Sequence, residues 1–202
     1  MVKKGKRILL LIFVVVCVWF GGLLADKQQL RRDLLRLHVV GASDSAADQS
    51  VKLQVRDAIL GSLQKGLEDL TDLEQAVEYV EEMLPKLKTV ADQVLEEAGF
   101  SQRVSISLTA EEFPTREYDT FSLPSGVYQA LRVVIGEGEG QNWWCVVFPK
   151  LCMSAASEEF REVSGFSDTL NDSLTGNYEI RFWLLDQLGR FENFFHKATE
   201  PS

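Results

Sequence analysis

The sequence predicts an α+β domain, with an antiparallel sheet built on a central β-hairpin and helices packed on one face, behind an N-terminal signal or anchor helix. Three observations predict it. Apolar residues recur at helical spacing between positions 46 and 99, they alternate at strand spacing from 103 to 148, and a glycine-rich turn at 136–141 divides two strand-like runs. Helices grouped with helices and strands with strands, rather than strict alternation, indicate an antiparallel sheet covered on one side.

At the N-terminus, Lys3, Lys4, Lys6 and Arg7 precede an uninterrupted apolar run over 8–24, and the first acidic residue is Asp26. As a helix the run spans about 25 Å, slightly short of the ~30 Å hydrocarbon core. Gly21, Gly22 and Ala25 suit a cleavage region and Leu23 does not, so a cut signal and a retained anchor both stay open. Either way the basic flank stays inside, and residues 26–202 form a single extracytoplasmic domain. Four of the 21 Lys and Arg precede the apolar run and all 30 Asp and Glu follow residue 25, leaving the exported part at −13. That charge argues against nucleic acid and against spreading on an anionic lipid surface, so membrane contact is expected only through 8–24.

The elements then follow in order. Residues 34–40 alternate Leu35, Leu37 and Val39 against Arg36, His38 and Val40 and stop at Gly41, as a strand should. Ser43, Asp44 and Ser45 offer helix caps, Asp48 lies three residues past Ser45, and Val51, Val55, Ile59 and Leu63 carry a helix over 46–67. Its outer face is expected to show Asp48, Lys52 and Arg56 at four-residue steps, acid ahead of bases. A second helix begins at Thr71 or Asp72 and is expected to break or kink at Pro85; a third runs from Leu87 to a cap at Gly99.

From Arg103 the period becomes two, through Val104, Ile106 and Leu108. Pro114 directs 113–118 to an edge, the turn 123–126 feeds a strand over 127–135, and 136–141 reverses the chain into the hairpin partner 143–148. After Cys152 the pattern weakens. It resumes as a helix through Ile180, Trp183, Leu184, Leu188, Phe191 and Phe195, with Gly189 interrupting its propensity.

Few chemistries find their residues here. The glycines of 136–140 lead into a strand rather than opening a helix, and Glu137 and Glu139 would repel phosphate. No serine elbow and no zinc spacing occurs. Cys145 and Cys152 are the two cysteines outside the apolar run, and an even pair in an oxidising compartment favours a bond, worth roughly 2.5 kcal/mol for so short a loop. Two packed thiols or a reactive Cys145 remain the alternatives. The last would make a cell-envelope hydrolase, with His38 as base and Asp44 as orienting acid.

What remains looks like recognition rather than turnover. The stretches Leu37-His38-Val39 and Ser43-Asp44-Ser45, the helix motif Asp48-Gln49 with Lys52, Val55, Arg56 and Asp57, and the edge Phe113-Pro114-Thr115 occur in order. They are followed by Leu123-Pro124-x-Gly126-x-Tyr128-x-Ala130-Leu131-Arg132-Val133, Ile135-Gly136-Glu137-Gly138, and Asn142-Trp143-Trp144-Cys145-Val146 with Phe148-Pro149 and Leu151-Cys152. Together these motifs, over 34–152, resemble the stage II sporulation protein R family of endospore-forming bacteria; 153–202 carry little of it. The resemblance implies no cofactor and no catalysis of its own. It implies a protein made in the forespore, exported between two membranes, that activates a membrane-embedded aspartic protease of the mother cell and so releases a sigma factor from its pro-sequence. On that reading His38, Ser43, Asp44, Asp48, Lys52, Arg56, Arg132, Glu137, Trp143 and Trp144 are the expected partner-binding residues.

Overall fold

Leu35–Val40 (β1) is buried along its whole length, on both faces, which is the position of a central strand. In this computed structural model, which describes residues 2–118, 121–149, 168–175 and 179–199, β1 is central in a four-stranded mixed sheet. Helix α1 (Val2–Asp33) leads directly into β1, followed by α2 (Ala46–Leu67), α3 (Leu73–Glu97), β2 (Val104–Phe113), the two-residue strands β3 (Arg116–Glu117) and β4 (Ser122–Leu123), β5 (Gly126–Ile135) and β6 (Asn142–Phe148). Helices α4 (Asp168–Leu174) and α5 (Glu179–Thr199) complete the described chain. The fold is α+β.

The sheet order is β2-β5-β1-β6. β1 runs parallel to β5, with Leu35 opposite Gln129 and Val40 opposite Val134, and antiparallel to β6. The hairpin expected between 127–135 and 143–148 is therefore split: the chain reverses as anticipated, but β1 lies between the two arms. Strands are about 4.8 Å apart, so the turn must bridge roughly twice that. It has the length to do so, with Gly136 and Gly138 at φ 59 and 69 and the Gly140 amide donating to the Gly41 carbonyl (2.9 Å) at the end of β1. β5 instead pairs directly with β2, from Val104 opposite Ile135 to Phe113 opposite Gly126.

Helices cover both faces of the sheet, not one. On the first, Val51, Val55, Ile59 and Leu63 of α2 and Ala76, Val80, Leu87, Ala91 and Leu95 of α3 pack on Leu35, Leu37, Val39, Leu131 and Val133. On the second, Leu23, Leu30 and Leu34 join Phe113, Tyr128, Ala130, Val146, Leu170, Leu174 and Leu185 in a separate core. The boundary expected at residue 25 falls inside α1, whose last turns are core.

Pro85 does not end a helix. It sits inside α3 on the exposed side, while the inward stripe continues from Val80 to Leu87. A cost of about 3 kcal/mol for an interior proline is offset by burying that stripe, each large side chain contributing about 1.5–3 kcal/mol.

α5 is fastened to the sheet by a buried carboxylate. Asp186 accepts from the Ser125 amide (2.9 Å), from Thr115 Oγ1 and from Arg190 Nε (2.8 Å). Burial alone would raise its pKa, but these donors outweigh it and hold the group below the usual carboxylate value. A depressed carboxylate stabilises the fold fully above its unfolded pKa of about 3.9 and loses that contribution as pH falls through the folded value. Asp186→Asn should therefore lower the melting temperature at pH 7 and flatten its decline between pH 4 and 2. Thermal melts across that range check this, and melting curves that shift in parallel would contradict it.

Candidate recognition surface

The end of β1 and the start of α2 form a tightly bonded corner. Ser45 caps α2, its Oγ accepting from the Asp48 amide (3.1 Å), while Ser43 and Ser45 hydroxyls both donate to the Asp48 carboxylate. Gln49 Nε2 donates to the Ser43 carbonyl (2.8 Å). The turn between β5 and β6 is stitched to this corner, since the Gln141 amide donates to Asp44 Oδ1 (2.7 Å) and Lys52 Nζ donates to the Gln141 carbonyl (2.9 Å) and to Gln49. The approach is close enough to need glycine: a Cβ at Gly140 would meet the Ser43 carbonyl oxygen at 2.4 Å.

This corrects the expected helix face. Asp48, Lys52 and Arg56 do not form an exposed ladder. Asp48 serves the cap, and Lys52 is buried, its ammonium pKa lowered by that burial against the opposing pull of Asp44. Arg56 pairs with Asp57 (2.6 Å) and lies over the Trp143 ring at 4.3 Å.

On the other face of the sheet a polar row runs obliquely across the strands. His38 Nδ1 contacts Glu111 Oε1 at 2.8 Å and His38 Nε2 contacts Asn142 Oδ1 at 2.8 Å. Arg132 Nη1 reaches the same Glu111 oxygen at 3.1 Å. Trp144 stacks on the imidazole at 3.7 Å and 10°, and Phe113 meets that Trp edge-on. Both ring nitrogens therefore lie within hydrogen-bond distance of a side-chain oxygen, one on β2 and one on β6. Beside the row lies fully buried Arg36, its guanidinium over Phe113 at 4.0 Å and Tyr128 at 4.9 Å, with Nη2 donating to Tyr118 (3.1 Å). Among the described residues its Nε and Nη1 have no hydrogen-bond partner, and burial lowers its pKa.

Of the residues singled out, Ser43, Asp44, Asp48 and Lys52 come together in the corner, while His38 and Arg132 come together through Glu111 and Trp144 stacks on the His38 ring. Arg56 and Trp143 form a pair on the rim, and Asn142 and Gln141 join the three groups. Glu137 stands apart on the exposed turn. Glu111 and Arg36 were missed, because the first looks like one more polar residue on the outer side of β2 and the second like the outward position of a half-buried strand.

The Cys145–His38 dyad is not assembled. Cys145 pairs with Leu37 and belongs to the first core, whereas His38 faces the second. Asp44 is bonded to the Gln141 amide rather than to His38. Cys145 is not free; Cys152, its expected partner, lies outside the described residues. Among the described residues no group of three or more His, Cys, Asp and Glu is placed to hold a metal ion.

A family model described as stage II sporulation protein R matches residues 31–158, which is most of the chain and all of this surface. The chain belongs to the stage II sporulation protein R family. A curated relative of that name from Bacillus subtilis (strain 168) is 36% identical over 118 residues, 58% of this chain and 53% of the relative. The chain thus spans about half the length of the curated relative it matches. No solved structure matches it. The span matched to stage II sporulation protein R starts in the last turns of α1 and takes in every strand, whereas α4 and α5 lie beyond it.

Proposed function

We propose that this chain is an exported sporulation signal that docks on a membrane-embedded aspartic protease and favours its active state, so that a sigma factor loses its inhibitory pro-sequence. Family membership supports the sporulation role, and the apolar N-terminal helix supports export or anchoring. The docking reading rests chiefly on one observation. The corner and the cross-sheet row commit their polar groups to one another and leave Arg132, Arg56 and Trp143 at the rim of a fixed frame. A preordered surface loses little conformational entropy on binding. To shift the protease, it must contact the active form more tightly than the inactive one, because equal affinity shifts nothing. The space between forespore and mother cell is the proposed compartment, and a Cys145–Cys152 bond the proposed closure of β6.

Lys52 is unsuited to testing this, since a glutamate there would bury a second acid beside Asp44. The variant Arg132→Gln with Trp143→Ala removes the rim charge and the rim indole while leaving a side-chain donor at position 132 for Glu111. We expect sigma-factor processing in sporulating cells to fall at least 10-fold, corresponding to about 1.4 kcal/mol or more of docking energy, with export and melting temperature unchanged. Undiminished processing at normal protein levels would remove this rim from the docking surface.

A further inference from the structure

α5 shows apolar side chains on the side away from the sheet, and the first of them lie where α1 leaves its apolar run. Arg181 Nε donates to Asp26 Oδ2 at 2.8 Å. Further along, Lys27 Nζ donates to the Leu188 carbonyl (3.1 Å) and pairs with Glu192 (2.9 Å), and Arg31 pairs with Glu192 (2.7 Å). Contacts that rise together in both helices mean that α1 and α5 run in the same direction. The N-terminal turns of α5 therefore sit level with residues 22–26 of α1, and a Cβ at Gly22 would lie 3.7 Å from the Arg181 guanidinium.

The apolar run of α1 ends at Leu24, and its side chains from Ile8 to Val16 and at Val18, Trp19 and Phe20 are all exposed in the protein. At about 25 Å that run covers most of the ~30 Å hydrocarbon core, so its end at Leu24 lies close to the headgroups. Residues immediately flanking Arg181 share this level. Ile180 is 74% and Trp183 58% exposed, and an indole with an apolar body and one N–H is suited to the boundary between lipid tails and water. Arg31 and Arg32, on the watery side of the same level, are exposed cations. Phe191 and Phe194 lie about 12–17 Å further along α5 from Trp183 and are no part of this layer.

We propose that Ile180 and Trp183 sit in the headgroup layer of the membrane that α1 enters, so that two parallel helices foot the domain on the bilayer at a fixed height and orientation. This rests on α1 crossing the membrane, and is independent of which protein the domain docks on. The Asp26–Arg181 pair then fixes the angle of the foot, and a second contact at the bilayer prevents the domain from rotating about α1.

The test uses the full chain carrying Cys17→Ala, reconstituted in phosphatidylcholine–phosphatidylglycerol vesicles, with a nitroxide label introduced through Trp183→Cys or, as an independent second site, Ile180→Cys. Leu24→Cys and Ser50→Cys serve as membrane and aqueous references. We expect relaxation by oxygen relative to a water-soluble nickel chelate at both test sites to approach the Leu24 reference and to exceed the Ser50 reference several-fold. A ratio equal to that at Ser50 at both sites would overturn the proposal. So would label–label broadening that grows with protein density in the vesicles, since a second copy of the chain would then be the occupant.

Discussion

Gly189→Ala should lower the melting temperature of the full chain in detergent by about 6–12 °C, the equivalent of roughly 3 kcal/mol in a domain of this size. A Cβ built on Gly189 would lie 1.5 Å from the Ser125 carbonyl oxygen and 2.3 Å from its carbon, so no rotamer change relieves the clash. The obstacle is backbone held from several sides. The Ser125 amide and hydroxyl both bond Asp186, at 2.9 Å each, and the Tyr128 hydroxyl donates to the neighbouring Pro124 carbonyl at 2.8 Å. α5 must therefore lift, which breaks the Asp186 contacts and opens the second core around Leu185. Overpacking of this kind costs 1–3 kcal/mol when side chains can adjust, and here they cannot. The gain of alanine over glycine in a helix, about 1 kcal/mol, works in the opposite direction and is smaller. Gly61→Ala supplies the control: nothing lies within 4 Å of its Cβ position, so that variant should melt slightly higher than the parent. If Gly189→Ala melts with or above the parent, α5 does not approach the 123–126 turn as described.

Local signals in the sequence were strong wherever the physics is local. The cap at Ser45 and the stripe from Val51 to Leu63 set the limits of α2, and the alternation from Val104 set β2. The parity of β1 was legible too, with Arg36 and His38 opposite Leu35 and Leu37. What alternation does not carry is which strand lies beside which, and so β1 was not placed between β5 and β6. Pro85 looked like a break because the lost hydrogen bond is local, whereas the packing that keeps α3 whole is not. Gly189 weakened the helical pattern for the same reason that the fold requires it, since its missing side chain makes room for a turn 64 positions earlier. The binding residues divide likewise. His38, Arg132 and Trp144 were identifiable as specific residues, but Glu111, which joins two of them, became visible only when β2, β5 and β1 were laid side by side.

Glu111→Ala should cost about 2–4 kcal/mol and also weaken signalling. Its carboxylate takes His38 Nδ1 and Arg132 Nη1 together, so deletion leaves a buried imidazole nitrogen without a partner and frees the arginine at the rim. His38 has little room to find another acceptor, because Trp144 covers its ring and Asn142 already holds Nε2. Glu111→Gln retains an oxygen to accept from the ring while removing the charge that Arg132 is paired with, and should therefore lose less stability than it loses in sigma-factor processing. A double-mutant cycle with His38→Phe, whose ring can still stack on Trp144 but needs no acceptor, separates the two roles: the stability coupling between positions 38 and 111 should reach about 1–3 kcal/mol. Additive stability effects would show that the hydrogen bond contributes nothing, and full processing by Glu111→Ala at normal levels would detach the cross-sheet row from docking. The two readouts diverge for a physical reason. Stability depends on whether the buried ring keeps a partner, whereas recognition depends on whether Arg132, exposed at its far end, is held where a partner can meet it.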